Sequence, residues 1–360
     1  MGPPTVLGDV RGLHRCAYAG SAHTGPARTV VQVVCTFGTG TGLIFTPVVW
    51  AATRFGSYDL DQLADPDNFE QLAVLAHYTA SGLVAASAAL IYLTARHLRA
   101  TEAEALAVSV LYALGTCVWS ISAKALWQHG PVNFCFALGM LLQTKAVAMG
   151  DGPWRCLYYL ALGGSAGFAV HCRPSAVFVP ICLGLWLLLQ LAAKLRHAAS
   201  GVAGDAASLL AFVLGGAPWA AALALYNLEH FGAVFASGQT LVSVRVAESK
   251  NGSPDLWATP LVDGLATLMA SPSRGLLVLS PWCVVPMAFA VWCLAAACRQ
   301  PDRAAPATSV VGILAPWAAA ASMQAIFAFK WFDYYGGWCF GYRPIGTCAF
   351  AGRAIGRTFS

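Results

Sequence analysis

The sequence is poor in charge. Of 360 residues only 10% are Asp, Glu, Lys or Arg, against 58% apolar, and the mean hydropathy is +0.63. A soluble domain carries about 25% charged residues, so 21 Lys and Arg with 16 Asp and Glu are too few to solvate the surface of a water-soluble fold of this length. The same figures exclude a disordered chain, a nucleic-acid-binding protein and a collagen-like one. The formal charge of +5 is small and gains meaning only when placed on loops. There is no C-x-x-C pair and no Cys/His group at zinc spacing. The twelve cysteines are scattered from Cys16 to Cys348, mostly within apolar runs, where a thiol acts as a small hydrophobe. Residues 1–28 lack an apolar core segment and read as neither a signal peptide nor a membrane span. The composition is that of an integral membrane protein.

Long apolar runs are what the chain has. Eight stretches are long enough to span a bilayer: 71–95, 103–123, 131–149, 156–172, 175–193, 206–228, 275–298 and 308–330. Ahead of them, Gly38, Gly40, Gly42 and Pro47 interrupt residues 30–55. The clean apolar piece there, 43–52, is too short for a hydrocarbon core of ~30 Å at ~1.5 Å per residue. It reads as a re-entrant or interfacial helix pair, with a shortened span as the lesser alternative. The G-T-G-T-G string lacks the spacing and the preceding strand of a nucleotide-binding loop. The expected fold is therefore all-α, a polytopic transmembrane helix bundle with about eight spans plus a re-entrant or interfacial N-terminal segment. Its organisation is an irregular segment at 1–28 and a single transmembrane domain over 29–360. Gly163 and Gly167 form a G-x-x-x-G within a span and read as a close helix-packing face.

Arg96, Arg99, Arg155, Lys194, Arg196, Arg299 and Arg303 fall on one set of short connections, which the positive-inside rule makes cytoplasmic. The loops at 96–102 and 299–307 are thus expected inside and 229–274 outside. The outer turns hold most of the polar residues able to do chemistry. Lys124, Gln128 and His129 share one turn; Arg173 lies at the next; Arg274 precedes the span from Gly275; Lys330 and Arg343 lie at or after the end of the last span. A cation at a membrane boundary is by default a functional candidate. Guanidinium and ammonium groups gathered at headgroup level suit a lipid phosphate or pyrophosphate. Taken singly, each is better explained by snorkelling to ordinary headgroups. Trp119, Trp127, Trp257, Trp282, Trp331 and Trp338 fit an interfacial belt, and are compatible with stacking on sugar rings. Asn251-Gly252-Ser253 is a formal glycosylation sequon followed by Pro254 and carries little weight.

Several strings, read in order, resemble the C-type, polyprenyl-phosphate-sugar-dependent integral membrane glycosyltransferases. They are Ala123-Lys124-Ala125-Leu126-Trp127-Gln128-His129-Gly130-Pro131, Gly167-Phe168-Ala169-Val170-His171-Cys172-Arg173-Pro174-Ser175, Tyr226-Asn227 with Phe231-Gly232, and Ser271-Pro272-Ser273-Arg274-Gly275-Leu276 with Ser280-Pro281. Tyr335-Gly336-Gly337-Trp338-Cys339-Phe340-Gly341-Tyr342-Arg343-Pro344 is the most specific, and Phe37-Gly38-Thr39-Gly40-Thr41-Gly42-Leu43 is similar to the segment that re-enters the membrane after the first outer loop. The resemblance covers about residues 36–350. It implies a multi-span enzyme taking a sugar from a polyprenyl-phosphate donor and passing it, on the outer or lumenal face, to a protein, lipid or glycan acceptor. Membrane lipid is the other expected partner, nucleic acid is not one, and the membrane would be the plasma membrane or an endomembrane. Lys124, His129, Arg173, Arg274 and Arg343 are the expected lipid-phosphate or donor-binding residues. No cofactor is read from the residues, although a divalent metal is compatible with the chemistry.

The resemblance also implies an acidic residue on a first outer loop, following a first helix that this sequence does not match. Asp9 is the only carboxylate upstream of residue 30, and the acidic stretch with Asp59, Asp61, Asp65, Asp67 and Glu70 is the substitute. The expectation is a fragment lacking the first helix and cut short at the far end, and a poor or inactive transferase by itself. The competing reading is a transporter or lipid-binding membrane protein without transfer chemistry. A transporter would show internal repeats and midplane polar residues, whereas here no convincing repeat is visible and the polar groups gather at one face.

Overall fold

A computed structural model describes residues 39–56, 58–59, 69–197, 200–252, 255–272, 275–299 and 310–332. Among them every regular element is helical. Five helices are long and apolar enough to cross a membrane: Glu70–His97, His129–Ala148, Pro174–Arg196, Val202–Phe231 and Val310–Lys330. This is the make-up of an integral membrane protein.

In chain order the helices are α1 (Gly40–Phe55), α2 (Phe69–His97), α3 (Glu102–Gly115), α4 (His129–Ala148), α5 (Pro153–Cys172), α6 (Phe178–Arg196), α7 (Val202–Phe231), α8 (Gly238–Asn251), α9 (Leu261–Ala270), α10 (Val284–Arg299) and α11 (Val310–Lys330). Helix α5 packs mainly on α7 and α4, α2 lies between α3 and α4, and α11 bridges α6 and α10. The main core lies where α4, α5, α6, α7 and α11 meet, around Val132, Phe136, Leu162, Leu183, Phe212, Ile313 and Trp317. Within it the Trp317 indole donates to the Gln143 side-chain oxygen, a buried polar link from α11 to α4.

The expected spans differ from the helices in two places. The stretch 103–123 is not one helix: α3 has 14 residues and ends at Gly115. There the Thr116 hydroxyl turns back to the Tyr112 carbonyl at 2.7 Å and the Trp282 indole takes the Gly115 carbonyl. A π-helical turn, Val118–Ser122, follows. The stretch 275–298 is broken into a single turn, Leu276–Leu279, a 3₁₀ turn, Pro281–Cys283, and α10. Pro281 lacks an amide donor and holds Ser280 out of the helical region, at φ −144°. At the amino end the described residues contain one helix, α1, within the expected re-entrant or interfacial pair. Its 16 residues rise only ~24 Å, and residues 30–38 lie outside the described set. So do residues 1–28 and 334–360.

Helix α5 shows why its sequence tolerates so many small residues. A β-carbon built on Gly163 would lie 1.9 Å from the Phe212 carbonyl oxygen, and one on Gly215 2.0 Å from that of Leu160. One on Gly167 would lie 2.9 Å from Gly216 Cα. The G-x-x-x-G is a packing face, as read, and α7 answers it with its own glycine pair.

At the Pro153 end of α5, Arg155 meets Asp205 at 2.6 Å and also pairs with Asp151, while Lys194 reaches the other Asp205 oxygen at 2.8 Å. Asp205 sits in the first turn of α7 and its side chain is 8% exposed. One nearly buried carboxylate thus receives two cations, satisfying the requirement that a charge leaving water be paired. Three of the residues expected to mark the cytoplasmic loops therefore belong to, or border, one structural clamp: Arg155 and Lys194 within it and Arg196 at the end of α6.

Of the described cysteines, Cys135, Cys156, Cys172, Cys182 and Cys283 are free thiols, and all but Cys156 are buried in the apolar packing. Cys182 contacts the Met323 thioether at 3.6 Å, in keeping with their reading as small hydrophobes.

Candidate functional site

The opposite end of α5, where Cys172 and Arg173 terminate it, is built from three elements. The first is the turn into α4. Its backbone folds tightly, with Trp127 N–H on the Ala125 carbonyl at 2.7 Å and Gly130 N–H on that of Trp127 at 3.1 Å. Helix α2 holds it from the side: the Ser81 hydroxyl donates to the Ala123 carbonyl at 2.9 Å, and His77 Nδ1–H to the Lys124 carbonyl at 3.0 Å. His129, the first residue of α4, is buried as a result. Asn133 lies one turn along the same helix face. It is 1% exposed; its amide nitrogen reaches the Ser122 hydroxyl at 3.4 Å, and its side-chain oxygen has no hydrogen-bond partner among the described residues.

The second element is the end of α5. Pro174 removes the next amide and forces Arg173 into extended backbone, φ −149°, ψ 109°. That conformation turns the guanidinium across to α4, where Nη1 lies 2.8 Å from His129 Nδ1. A guanidinium can only donate. In this contact His129 Nδ1 is therefore the acceptor. The third element is the start of α1. Thr39, its N-cap residue, places its hydroxyl 2.7 Å from His171 Nε2. His171 is 3% exposed and is flanked by Phe168 and Trp219, with ring centroids at 6.4 Å and 5.8 Å.

Around this junction several buried polar atoms have no hydrogen-bond partner among the described residues. Besides Asn133 Oδ1 they are Thr41 Oγ1, Gln128 Oε1 and Ser175 Oγ. Unsatisfied buried polar groups are rare in native interiors, and a cluster of them points to a ligand or to water. Chemically the end offers a fixed guanidinium, an imidazole and a set of hydroxyl and amide groups, the equipment for an anion attached to a polyol. Among the described residues no group of three or more His, Cys, Asp or Glu side chains comes together to hold a metal ion.

Of the five site residues expected from sequence, the structure brings His129 and Arg173 into direct contact. Lys124 is exposed on the same turn, and among the described residues it is the Lys124 backbone, not its ammonium, that is tied to the bundle. Arg274 and Arg343 lie outside the described residues. Of the acidic stretch only Asp59 and Glu70 are described, both exposed. Sequence reasoning singled out neither Thr39, Thr41 and Asn133 nor His171 and Ser175 as site residues. The signals were present for some of them: His171 and Ser175 flank Arg173 within five residues, and Asn133 is four residues from His129.

No family model, no curated protein and no solved structure matches this chain. Its class rests on the apolar helices, and its function on the chemistry of the Arg173 end.

Proposed function

We propose that the chain is a membrane glycosyltransferase-like protein that binds a polyprenyl-phosphate sugar at the Arg173 end and transfers the sugar to an acceptor there. The observation that supports this most is the Arg173–His129 pair, a fixed guanidinium held beside a cluster of buried, unsatisfied polar atoms. In the reaction the acceptor hydroxyl oxygen bonds to the anomeric carbon and the bond from that carbon to the phosphate oxygen breaks. The lipid phosphate leaves with the electron pair, and the hydroxyl proton passes to a base. Arg173 stabilises the charge developing on the leaving phosphate. Asp59 and Glu70, the described carboxylates of the acidic stretch, are the candidates for taking the proton.

In this reading eight segments cross the bilayer. They are the five long helices together with α5, α3 joined to its π-helical turn, and the broken stretch ending in α10. The Arg173 end faces the exterior or lumen and the Asp205 clamp the cytoplasm, in a plasma membrane or endomembrane. Engineered single cysteines near Arg99 and Arg303, on a cysteine-depleted background, are expected to resist an impermeant thiol reagent from outside, while positions in 229–236 react. Outside labelling at Arg99 and Arg303 would reverse the topology.

The activity is tested with the 360-residue protein in nanodiscs, offered a panel of polyprenyl-phosphate sugars and hydroxyl acceptors. The expected result is saturable donor binding with weak donor-dependent release of polyprenyl phosphate at most. Absence of saturable binding overturns the proposal. Binding that is indifferent to the sugar on the carrier overturns the transferase assignment in favour of a lipid-binding protein.

A further inference from the structure

The loop 255–260 and the end of α11 build an aromatic cluster separate from the Arg173–His129 pair. Trp257 meets Phe327 with ring centroids 4.4 Å apart and Trp331 at 5.2 Å, both edge to face, while Phe327 and Trp331 stack at 6.2 Å. Polar bonds hold the rings in place. The Thr259 hydroxyl donates to the Trp331 carbonyl at 2.8 Å and Phe332 N–H to the Leu256 carbonyl at 2.9 Å, which stitches the loop to the end of α11. Asp255 Oδ1 accepts Trp257 N–H at 2.8 Å, a local turn that fixes the start of the loop. The cluster is open at Trp257, which remains 39% exposed. Phe327 also packs on Phe178 at 5.3 Å, and Phe178 opens α6 directly after the 3₁₀ turn, Pro174–Val177, that follows Arg173. The rings therefore run from the Arg173 turn to the exposed indole.

An indole at a membrane boundary ordinarily rests against lipid. The chemistry beside Trp257 favours another occupant. Asp255, two residues away, is exposed. A carboxylate is repelled by anionic headgroups and is costly against acyl chains. What suits a ring face and a carboxylate together is a molecule with an apolar face and a rim of hydroxyls. A sugar ring has that form. Its C–H groups present partial positive charge to the negative face of an indole. Its hydroxyls donate to carboxylate oxygens, which offer about four acceptor positions.

We propose that Trp257, braced by Phe327 and Trp331, is a stacking platform for a sugar ring, and that Asp255 accepts that ring's hydroxyls. The inference rests on the lipid-linked sugar reading for its choice of ligand and adds a carbohydrate subsite to it. The ring belongs either to the donor or to a glycan acceptor, and the shared chemistry is a pyranose or furanose ring.

The test uses the full chain in phosphatidylcholine nanodiscs with three kinds of probe: sugar-free polyprenyl phosphate, polyprenyl phosphates carrying mannose, glucose or arabinose, and soluble mannotetraose and maltotetraose. Trp257→Ala and Asp255→Asn are each expected to weaken binding of a sugar-bearing probe about 3- to 10-fold, and that of sugar-free polyprenyl phosphate by less than about twofold. Trp257→Phe should keep most of the affinity. Asp255→Asn retains the side-chain oxygen that accepts Trp257 N–H, so it tests the charge without opening the turn. An effect on the lipid-linked sugars assigns the subsite to the donor and one on the tetrasaccharides to the acceptor, and either supports it. If Trp257→Ala weakens sugar-free and sugar-bearing lipid equally, the indole is an interfacial anchor and the subsite is overturned. It is also overturned if both variants bind every probe as the parent does, and the proposed function then stands as long as Arg173→Gln abolishes donor binding. If the parent binds a tetrasaccharide through Trp257 but no polyprenyl phosphate, that function falls and the subsite remains. If the parent binds none of the probes, both fall.

Discussion

Replacing Gly163 with alanine is expected to destabilise the bundle at or above the upper end of the ~1–3 kcal/mol typical of overpacking. Gly164→Ala beside it should be tolerated. The contrast follows from geometry. A β-carbon on Gly163 would stand 1.9 Å from the Phe212 carbonyl oxygen, a backbone atom that no side-chain rotation can move. One on Gly164 would meet its nearest neighbour, the Gly215 carbonyl oxygen, at 3.6 Å, an ordinary contact. To admit a methyl at 163, α5 and α7 must separate, and Leu162 and Phe212, both in the main core, lose contacts along the seam. Gly215→Ala should act similarly, since its β-carbon would meet the Leu160 carbonyl oxygen at 2.0 Å. The double variant should fall short of additivity, because one separation relieves both clashes. Thermal unfolding in detergent, followed by loss of the monodisperse peak on size-exclusion chromatography, measures the effect. Equal stability of the Gly163 and Gly164 variants would show that the seam is looser than described.

That seam was visible in the sequence as a G-x-x-x-G, because small residues four apart on a helix have one physical use that spacing alone reveals. The long helices were visible for a related reason. An apolar run of twenty or more residues can satisfy its backbone in lipid only by coiling, so α2, α4, α6, α7 and α11 fall close to the expected limits. Where tertiary contacts decide, the pattern failed. The 103–123 run is apolar throughout, yet α3 stops at Gly115 because an indole 167 residues away takes its carbonyl. The break at Ser280-Pro281 was written in the proline, but apolar flanks outweighed it in a reading by hydropathy.

The candidate site shows the same division. His129 and Arg173 stood out as cations at membrane boundaries, 44 residues apart, and their contact depends on Pro174 turning Arg173 out of the helix. The contribution of α1 was concealed. Its glycines read as helix breakers, whereas Gly40 is the residue whose missing side chain lets the helix start against Cys172.

Arg173→Ala is expected to reduce donor binding by about 10- to 100-fold, against less than about twofold for Lys124→Ala. Sequence alone ranks the two residues together; the structure separates them. Arg173 is half-buried and fixed by Pro174 and His129, so its guanidinium meets a phosphate without first losing side-chain freedom. Lys124 is exposed, and an exposed ammonium on a flexible stem adds about 0–1 kcal/mol to an ion pair. The 10- to 100-fold figure corresponds to one hydrogen bond to a charged partner, about 1.5–3 kcal/mol. Arg173→Ala also strips His129 Nδ1 of its donor, so part of any loss could reflect a displaced imidazole. Two further variants separate the contributions. Arg173→Lys keeps the charge but not the planar fork, and should recover binding only in part. His129→Ala leaves the guanidinium but frees its orientation, and should weaken binding less than Arg173→Ala while steepening the dependence on salt, as a charge released toward solvent is screened more. Binding is measured in nanodiscs by titration with a polyprenyl-phosphate sugar, with the melting temperature of each variant as the control for folding. If Lys124→Ala and Arg173→Ala weaken binding equally, the site is a diffuse cationic rim at headgroup level and not the pair at the end of α5.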